Sequence, residues 1–345
     1  MEHVIVTSAV SESLEAAWNA CLDSADFAAH YTAPEFFREK YFDGRWPFAV
    51  LAVHDDVIHG VATGCLDRRD INCGAPGSPH VCVRRGADLD KVGRALAAGL
   101  RAHAPRWTEF ISAFAWSEVA GLRSAGFRIQ RYGQPLCTIL LDLSRGKDWL
   151  FRQCSETRRN KIRRALKAGV EVVEMNIERD FDDYYALYRH WCGFKNLAYQ
   201  PYQLQRSVFE SKGNRLILVA RHEGRMVGVS TFRFRKPGIV EYAANVSRRE
   251  ESRIRQNDLL LWRGIEWAAE QGMFTHFSMA GSHFFLQKFG GQVHMTYRYS
   301  LDRTMLRRRD AVASARTLAT RVYQSLPESL KRAARKLLRR QNEAD

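Results

Sequence analysis

The stretch SETRRNKIRRALKAGVEV, residues 155–172, marks the point at which a pattern of predicted elements begins for a second time along the chain. Apolar residues recur at helical spacing from Ile162 to Ala165, and Gly169 is the residue type that commonly ends a helix. The VEVVEM segment that follows is typical of a strand. The stretch is also strongly basic, because residues 152–167 contain seven Lys or Arg against one acid. It therefore raises two questions: which fold it opens, and whether its charge faces solvent or a ligand.

The segments after this stretch predict one α/β unit. A helix over ERDFDDYYALYRHWCGFKN precedes two strands, RLILVARHEGRMVGVSTFRFR, which turn at Glu223-Gly224. GIVEYAANV is a further strand, and NDLLLWRGIEWAAEQG is a helix that we expect Asn257 to cap and Gly272 to end. FTHFSMAG closes the unit as a strand. The predicted order is thus helix, strand, helix, three strands, helix and strand.

The first half shows a similar succession of helix-like and strand-like segments, including a strand pair that turns at Asp55-Asp56. An internal duplication of the α/β unit is therefore predicted. The fold class is α/β with mixed sheets, arranged as two tandem domains and a basic helical tail. We expect the domains to span residues 1–145 and 146–302, and the tail to span 303–345.

Size and charge restrict the classes of partner. The chain has 345 residues and 46% apolar residues, which suits two domains with a sizeable core. Its formal net charge is +15 and its pI is about 9.7. Such an excess favours anionic partners: a nucleotide or other anionic small molecule, RNA, or an anionic membrane surface.

Several classes of protein do not fit the sequence. The seven cysteines are scattered and form no CxxC pair, which indicates reduced thiols in a cytoplasm. The first residues lack the features of a signal peptide, and no run of about 18 apolar residues predicts a membrane span. GxGxxG, Walker A, GxSxG and HExxH motifs are absent, so we expect no nicotinamide, ATP or metal site.

Four segments of the second half together resemble the Fem-type (FemAB-like) branch of the GNAT acyltransferase superfamily. They are TRRNKIRRALKAGVEVVE, the hairpin LILVARHEGRMVGVSTFRFR, the helix LLLWRGIEWAAEQG and the closing HFFLQKFGG. The resemblance covers roughly residues 145–300, and the first half resembles the partner domain only in element order. It implies two tandem GNAT-like folds. It also implies transfer of an acyl or aminoacyl group from a thioester or a tRNA ester to an amine, with acetyl-CoA or another acyl-CoA as a donor.

The sequence departs from the family pattern where GNAT enzymes bind the pyrophosphate of coenzyme A. The usual glycine-rich turn is replaced by SRREESRIRQNDLLLW, which contains no glycine. Backbone amides near Asn257 and Asp258 are still placed to meet a phosphate, with help from Arg253 and Arg255, although the Asp258 charge is expected to repel it. The candidate cofactor-binding residues are therefore Arg253, Arg255, Asn257 and, in the preceding strand, Asn245.

Arg159 and Arg163 are the candidate substrate-binding residues of the basic stretch. They lie four residues apart, so both can address one phosphate from one helix face. The alternative is a solvated basic face that binds nothing. A third candidate is Lys288. The Fem branch commonly has a Lys three residues before the Phe of the terminal FGG. Here that place is Leu286, and the lysine, Lys288, is instead adjacent to Phe289.

The candidate catalytic residues are Glu241, Tyr242 and His283. Tyr242 and Asn245 belong to the strand at which a GNAT sheet opens to admit the thioester, and strand alternation predicts that they point to opposite faces. Glu241 would share a face with Asn245 and act as general base for the acceptor amine. His283 follows the closing strand beside the expected cleft. The alternative for each is an ordinary packing or surface role.

The tail beyond Asp302 is basic and amphipathic. It holds twelve Lys or Arg against four acids, a net charge of +8. Leu318, Val322 and Leu326 recur at helical spacing, and a second apolar stripe follows Pro327. A basic helix with one apolar face suits an anionic membrane surface, which would place the protein at the inner face of the membrane. The alternative is that the stripe packs on the protein's own surface.

Three functions remain open. The first is an N-acyltransferase that moves an acyl group from acyl-CoA to the amine of a small molecule, a sugar or an envelope precursor. The second is an aminoacyl-tRNA-dependent transferase of the same fold, whose basic surface would bind RNA. The third is a non-catalytic GNAT-like scaffold that docks on RNA or membrane. The sequence leaves the oligomeric state open.

Overall fold

The computed structural model describes residues 1–7, 10–38, 46–75, 77–132, 137–210, 212–279 and 284–325, together with Pro327 and Lys331. Its helices are α1 (Glu12–Asp23), α2 (Leu89–His103), α3 (Ala120–Ser124), α4 (Gly146–Gln153), α5 (Glu156–Lys167), α6 (Ile177–Lys195), α7 (Tyr202–Glu210), α8 (Gln256–Glu270), α9 (Phe284–Gln287) and α10 (Arg308–Ser325).

The strands of the first half are β1 (Glu2–Val6), β2 (Trp46–His54), β3 (Val57–Asp67), β4 (Asp70–Ala75), β5 (Ser78–Pro79), β6 (Val81–Val83), β7 (Phe110–Ala115), β8 (Arg128–Tyr132) and β9 (Thr138–Asp142). Those of the second half are β10 (Glu171–Glu174), β11 (Arg215–His222), β12 (Arg225–Phe234), β13 (Gly238–Ser247), β14 (Phe274–Met279), β15 (Gln292–His294) and β16 (Thr296–Asp302).

These strands form two sheets of the same topology. The first has the order β1-β2-β3-β4-β7-β16-β8, with β5 and β6 as side branches, and the second has the order β10-β11-β12-β13-β14-β9-β15. Each begins with four antiparallel strands, continues with a parallel neighbour reached through a helix, and ends with two antiparallel strands. The predicted class, tandem mixed α/β units, is confirmed.

The two sheets exchange one strand each. β9 belongs to the first half of the chain and pairs with β14 and β15 in the second sheet. β16 belongs to the second half and pairs with β7 and β8 in the first sheet. The domain limits 1–145 and 146–302 remain a prediction, and the strand pairing links the two units across both ends of the second range.

The stretch that opens the second unit forms two helices. α4 ends at Gln153, Ser155 is the N-cap of α5, and Gly169 follows α5 with a φ of 76°. Ile162 and Ala165 of α5 pack with α8 in the core on one face of the second sheet. α6 covers the other face. The basic stretch is therefore held directly against α8.

The start of α8 differs from the predicted one. Asn257 lies inside the first turn, and Arg255 is the N-cap, with φ 64° and ψ 30° in the left-handed region. This is the conformation that a glycine usually supplies, because side chains make it costly. Arg255 thus takes the place of the glycine that the sequence lacks.

α10 begins on the first sheet and continues away from it. Arg309 pairs with Asp70 and with Glu109, at 3.1 Å for the second contact, which holds the first turn. Further along, Leu318 and Val322 are 63% and 52% exposed. In the described part of α10, the predicted apolar stripe therefore faces outward.

The rest of the predicted tail stripe, from Leu326 onward, lies outside the described residues apart from Pro327 and Lys331. Among the described helices, none combines the length and the apolar character needed to cross a membrane.

Candidate active site

The second sheet opens partway along β13. Parallel pairing with β14 runs from Gly238 opposite Phe274 to Tyr242 opposite Met279 and stops there. β13 nevertheless continues to Ser247 and stays paired with β12 on its other side. Within the described residues, the β13 backbone after Tyr242 therefore has no strand partner on the β14 side. Such an edge is ready to pair with an extended ligand through N–H and C=O groups.

The first sheet is closed at the matching place. There, β6 pairs with β3 and also with β7, through Val81 opposite Ala115. The helix of that unit is also closed at its start, because the Asp88 carboxylate accepts hydrogen bonds from the amides of Asp90 (3.0 Å) and Lys91 (3.1 Å). The open edge belongs to the second unit.

A β-bulge changes which side chains meet at the opening. Ala244 pairs with Thr231 and Tyr242 pairs with Phe232, so that residue 243 is left over. Tyr242 and Asn245 therefore lie on the same face, and the prediction that they point to opposite faces is wrong.

Ser230 links the two side chains. Its Oγ accepts a hydrogen bond from Asn245 Nδ2 at 3.0 Å, and Tyr242 also hydrogen-bonds it. Burial raises the pKa of the Tyr242 phenol well above its ordinary value, against the effect of the Ser230 contact. Tyr242 is thus a protonated hydroxyl held beside the open edge.

Glu241 points to the other face, toward the first unit. Its Oε1 accepts hydrogen bonds from Tyr31 Oη (3.1 Å) and Ser78 Oγ (3.4 Å), and Arg233 donates to the same Tyr31 oxygen at 3.0 Å. Burial raises its pKa, while Arg233, Tyr31 and Ser78 act in the opposite direction. The expected common face with Asn245 is wrong for the same reason as above, and Glu241 lies in the contact between the two units.

The N-terminus of α8 lies at the end of the loop that leaves β13. The N-cap Arg255 makes no side-chain hydrogen bond to the first turn, in contrast to Asp88 at α2. Asn257 Nδ2 instead donates to Ser247 Oγ at 3.0 Å, which ties the helix start to the open strand. First-turn amides without a side-chain cap, together with the helix dipole, favour an anion at this point.

A buried ion pair lies beneath this helix start. Arg158 of α5 contacts the Asp258 carboxylate, and both side chains are buried. The Arg158 guanidinium lies 3.9 Å from the centre of the Phe285 ring and 5.8 Å from that of Phe289. The sequence analysis left the Asp258 charge uncompensated, and this ion pair corrects that expectation.

Other cations surround the same helix start. Lys161 of α5 is half-buried, and its pKa is lowered first by burial and then by the charges of Arg158, Arg255 and Lys288, with Asp258 opposing them. Lys288 is exposed, and its backbone carbonyl accepts a hydrogen bond from the Ser155 amide at 2.8 Å. The predicted residues Arg255, Asn257 and Lys288 are thus brought together with Lys161.

Arg159 and Arg163 lie on another side of α5. Arg159 Nη1 donates to the backbone carbonyls of Arg152 (2.9 Å) and Cys154 at the end of α4. Arg163 is exposed, lies 5.8 Å from the Phe151 ring centre and donates to Asn160. Their role in binding an anion stays a prediction. His283 lies outside the described residues.

Two adjoining clefts extend around the open end of β13, with volumes of about 560 and 440 Å³. They join the α6 face of the sheet to the N-terminus of α8. The first is lined by Trp191, Phe194, Lys195, Asn245, Ser247, Arg248, Arg249, Ser252 and Asn257, and the second adds His190, Glu250 and Arg253. Asn245, Asn257 and Arg253 are therefore the predicted residues that reach the clefts.

The α6 residues that line the clefts are not among the candidate site residues predicted from the sequence. Phe194 is 51% exposed, with the Arg249 guanidinium 4.8 Å from its ring centre. A signal was available, because Phe194 falls outside the 3.6-residue repeat formed by Phe181, Tyr184 and Tyr188. Its aromatic ring marks a surface beside the clefts.

The chain was compared with known protein families and with solved structures. Residues 155–288 match the acetyltransferase (GNAT) domain family. The fold is similar to that of FemX, with 14% identity, a TM-score of 0.66, and coverage of 87% of this chain and 98% of that one. No curated protein matches the sequence.

Two further solved structures share the fold. A tandem GNAT protein from the clavulanic acid biosynthesis pathway has 13% identity and a TM-score of 0.52, over 88% of this chain and 99% of that one. The C-terminal domain of a putative lysylphosphatidylglycerol synthetase from Agrobacterium fabrum has 15% identity and a TM-score of 0.52, over 75% and 86%. At such identities the likeness establishes the fold alone.

Replacement of Glu241 by Gln tests the role of this carboxylate at the contact between the units. A buried acid with a raised pKa stabilises the fold only below its unfolded pKa, and this stability is lost as pH rises through the folded pKa. Glu241→Gln removes that loss. We therefore expect its free energy of unfolding, relative to the wild type, to increase with pH from about pH 4.5 upward, as measured by urea denaturation at several pH values.

Glu171→Gln is the matched control, because Glu171 is an exposed carboxylate on β10. It should follow the wild type at each pH. A Glu241→Gln variant that becomes less stable relative to the wild type as pH rises would contradict the interpretation of Glu241 as a costly buried charge.

Proposed function

We propose that this chain is an N-acyltransferase that transfers an acyl group from acyl-CoA to an amine at the open end of its second sheet. The match of residues 155–288 to the acetyltransferase (GNAT) domain family and the fold shared with FemX and with a tandem GNAT protein support this proposal. Acetyl-CoA is the donor that we expect, and the acceptor is a small molecule, a sugar or an envelope precursor. The observation that carries the proposal is the free edge of β13 next to the uncapped N-terminus of α8.

The two ends of an acyl-CoA suit these two features. Its extended, amide-containing arm suits the β14-side edge of residues 243–247, which has no strand partner among the described residues and offers N–H and C=O groups in strand geometry. Its phosphates suit the first-turn amides of α8, with Arg255 and Arg253 beside them and Asn257 fixing the helix start to the strand. The donor would thus lie along the boundary between the α8 and α6 faces.

The chemistry requires few side chains. The neutral acceptor amine attacks the thioester carbonyl, the C–N bond forms and the C–S bond breaks. The nitrogen gives up one proton and the departing thiolate takes up one, so the products are an amide and a free thiol. Backbone N–H groups on the free edge of β13 are suitable donors to the developing oxyanion. Tyr242 is the proposed general acid for the leaving sulfur, since burial keeps its hydroxyl protonated. Asn245, held by Ser230, is the proposed positioning group for the donor arm.

A second donor class is supported by the surface of α6 and of the segment that follows it. Phe194 and Tyr199 are exposed aromatic residues, with Arg249 4.8 Å from the first ring centre and Arg189 5.2 Å from the second. Aromatic rings next to cations suit single-stranded nucleic acid, through base stacking and phosphate contacts. An aminoacyl-tRNA donor is therefore the alternative, and its tRNA would bind on this surface.

We propose that the tail makes a peripheral contact with the cytoplasmic face of a membrane whose surface is anionic. The exposed Leu318 and Val322 and the net charge of +8 in residues 303–345 support this contact. Apolar burial and charge attraction then act together, at about 1 kcal/mol for each cation near an anionic leaflet. An acceptor carried by the membrane or the envelope would be brought close to the enzyme.

Ligand-dependent unfolding tests the donor. A ligand that binds only the folded state stabilises it by about 2.7 kcal/mol at 100 times its Kd. We expect acetyl-CoA to raise the melting temperature in a concentration-dependent way and total deacylated tRNA to leave it unchanged. Stabilisation by tRNA without any effect of acetyl-CoA or longer acyl-CoAs would favour the alternative donor and contradict the proposal.

The matched variant for this test is Tyr242→Phe. It should keep the stabilisation by acetyl-CoA and lower kcat by a factor of about 100 or more, because it removes the proton donor and leaves the binding groups in place.

Vesicle sedimentation tests the tail. Full-length protein should co-sediment with vesicles that contain anionic phospholipid at low salt, and should be released by high salt, since screening weakens the attraction. A chain that ends at Asp302 should stay in the supernatant. Equal behaviour of the two forms, or binding to neutral vesicles alone, would rule out the electrostatic contact.

A further inference from the structure

The end of the first sheet at which α10 begins carries a group of exposed apolar side chains. Leu306 and Met305, in the segment that joins β16 to α10, are 90% and 86% exposed. They are the two most exposed large apolar side chains among the described residues. Trp107, in the turn between α2 and β7, is 54% exposed. We call these three residues the apolar tip.

The apolar tip is anchored at its base. Asp302, the last residue of β16, is buried, and its carboxylate accepts hydrogen bonds from the Thr304 amide (2.9 Å) and hydroxyl (2.5 Å). The Arg303 amide donates to the Glu109 carbonyl at 2.8 Å, and the Arg303 guanidinium donates to the Pro105 carbonyl at 3.3 Å. The two segments that carry the apolar tip are therefore fastened to each other.

The backbone of the tip holds a leucine in solvent at a cost. Leu306 and Arg307 have φ angles of 56° and 50°, in the left-handed region that is unfavourable for residues with side chains. The Arg307 amide donates to the Thr304 carbonyl at 3.0 Å, which closes this turn. Packing in the protein core does not repay the cost, because Leu306 is almost fully exposed. The conformation is useful if the side chain enters an apolar phase outside the protein.

Arginines surround the apolar tip. Arg106, Arg307 and Arg308 are exposed, and they directly precede or follow its residues along the chain. The nearby Glu109 carboxylate pairs with Arg309 at 3.1 Å, which takes up its charge. The surface around the apolar side chains is therefore positively charged and suits a partner that is apolar inside and anionic outside.

We propose that the apolar tip is a membrane-docking site. Its three side chains enter the headgroup region of an anionic bilayer, and the exposed arginines beside them bind the lipid phosphates. The inference deepens the membrane contact proposed for the tail and rests on it for the class of partner. It assigns part of that contact to the folded first unit, in addition to α10.

An anionic bilayer suits this surface better than another protein does. A stable protein interface buries about 1,200–2,000 Å², far more than three side chains provide. Tryptophan is enriched where a membrane meets water, because its ring lies among the headgroups. Arginine side chains reach from the same depth to the phosphates while their aliphatic parts stay in contact with apolar groups. Small exposed apolar groups with neighbouring cations bind a bilayer through both terms together.

A fluorescent label at position 306 tests the insertion. All seven cysteines of the chain are buried, so a full-length Leu306→Cys variant takes a polarity-sensitive thiol dye selectively at this position. With vesicles of phosphatidylglycerol and phosphatidylcholine, the emission should shift to the blue and rise about 2-fold or more, because the dye leaves water. The same dye on Met273→Cys, at an exposed methionine of the second unit, is the matched control and should not respond.

Sedimentation of full-length variants with the same vesicles separates the two terms. Met305→Ser/Leu306→Ser should weaken the partition coefficient about 5-fold or more at any salt concentration, since two apolar side chains no longer leave water. Arg307→Gln/Arg308→Gln should weaken it about 10-fold at low salt and have little effect at high salt. Met273→Ser is the matched control and should bind as the wild type does.

Three results would overturn the inference. The first is an unchanged label at position 306 in protein that co-sediments with the vesicles. The second is wild-type partition of Met305→Ser/Leu306→Ser, and either of these leaves the contact of α10 in place. The third is a label response that grows with protein concentration without vesicles, which would assign the tip to a second copy of the chain. Wild-type protein that binds no anionic vesicles would remove the tail contact and this inference together, while acyl transfer in solution would stay untouched.

Discussion

The early end of the pairing between β13 and β14 is the constraint on which the rest of the site depends. β13 is held by β12 along one edge through to Ser247, while its other edge has no strand partner after Tyr242 among the described residues. The bulge at residue 243 then decides which side chains flank the opening: Tyr242 and Asn245 on one face, Glu241 on the other. The loop that follows delivers the amides of α8 to the same place, with Asn257 bound to Ser247. One strand thus positions the backbone edge, the Tyr242 hydroxyl and the helix start to which the proposed function assigns the thioester arm, the general acid and the phosphates.

The two units of the chain share a topology but differ in this feature. In the first sheet, β6 closes the matching gap, and Asp88 caps the matching helix. Ser78 lies in the segment between β4 and β6 and donates a hydrogen bond to Glu241. This region of the first unit therefore contacts the second unit. The exchange of β9 and β16 adds strand pairing between the two units. We infer a division of roles in which the first unit supports the second and the second performs the chemistry.

Sequence periodicity was sufficient for the order of most helices and strands in the second unit. Helical spacing and turn residues predicted the end of α5 at Gly169 and the tight turns at Asp55-Asp56 and Glu223-Gly224, where residues have positive φ. It missed α7 and the exchange of β9 and β16, because the partner of a strand is a long-range property. The strand assignments therefore held locally while sheet membership did not follow from them.

The site was less accessible from sequence. Alternation along GIVEYAANV gave the wrong faces for Tyr242 and Asn245, because a bulge adds a residue without any composition signal. The role of the basic stretch in binding an anion stays a prediction, and a helical repeat alone does not tell which of its cations are paired. Arg158 is buried against Asp258, a hundred residues away, while its neighbour Arg159 caps α4. Asn245, Arg253 and Asn257 reached the clefts because their places follow from the order of the elements.

Hydrogen exchange with and without acetyl-CoA tests the central claim, that the donor binds in the opened second sheet, most directly. The account predicts that acetyl-CoA slows exchange of the amides in residues 243–258, from the free edge of β13 to the first turn of α8. It also predicts no change in residues 81–91, the matching segment of the closed first unit. Protection of 81–91, or unchanged exchange in 243–258 under conditions in which binding is saturated, would contradict it.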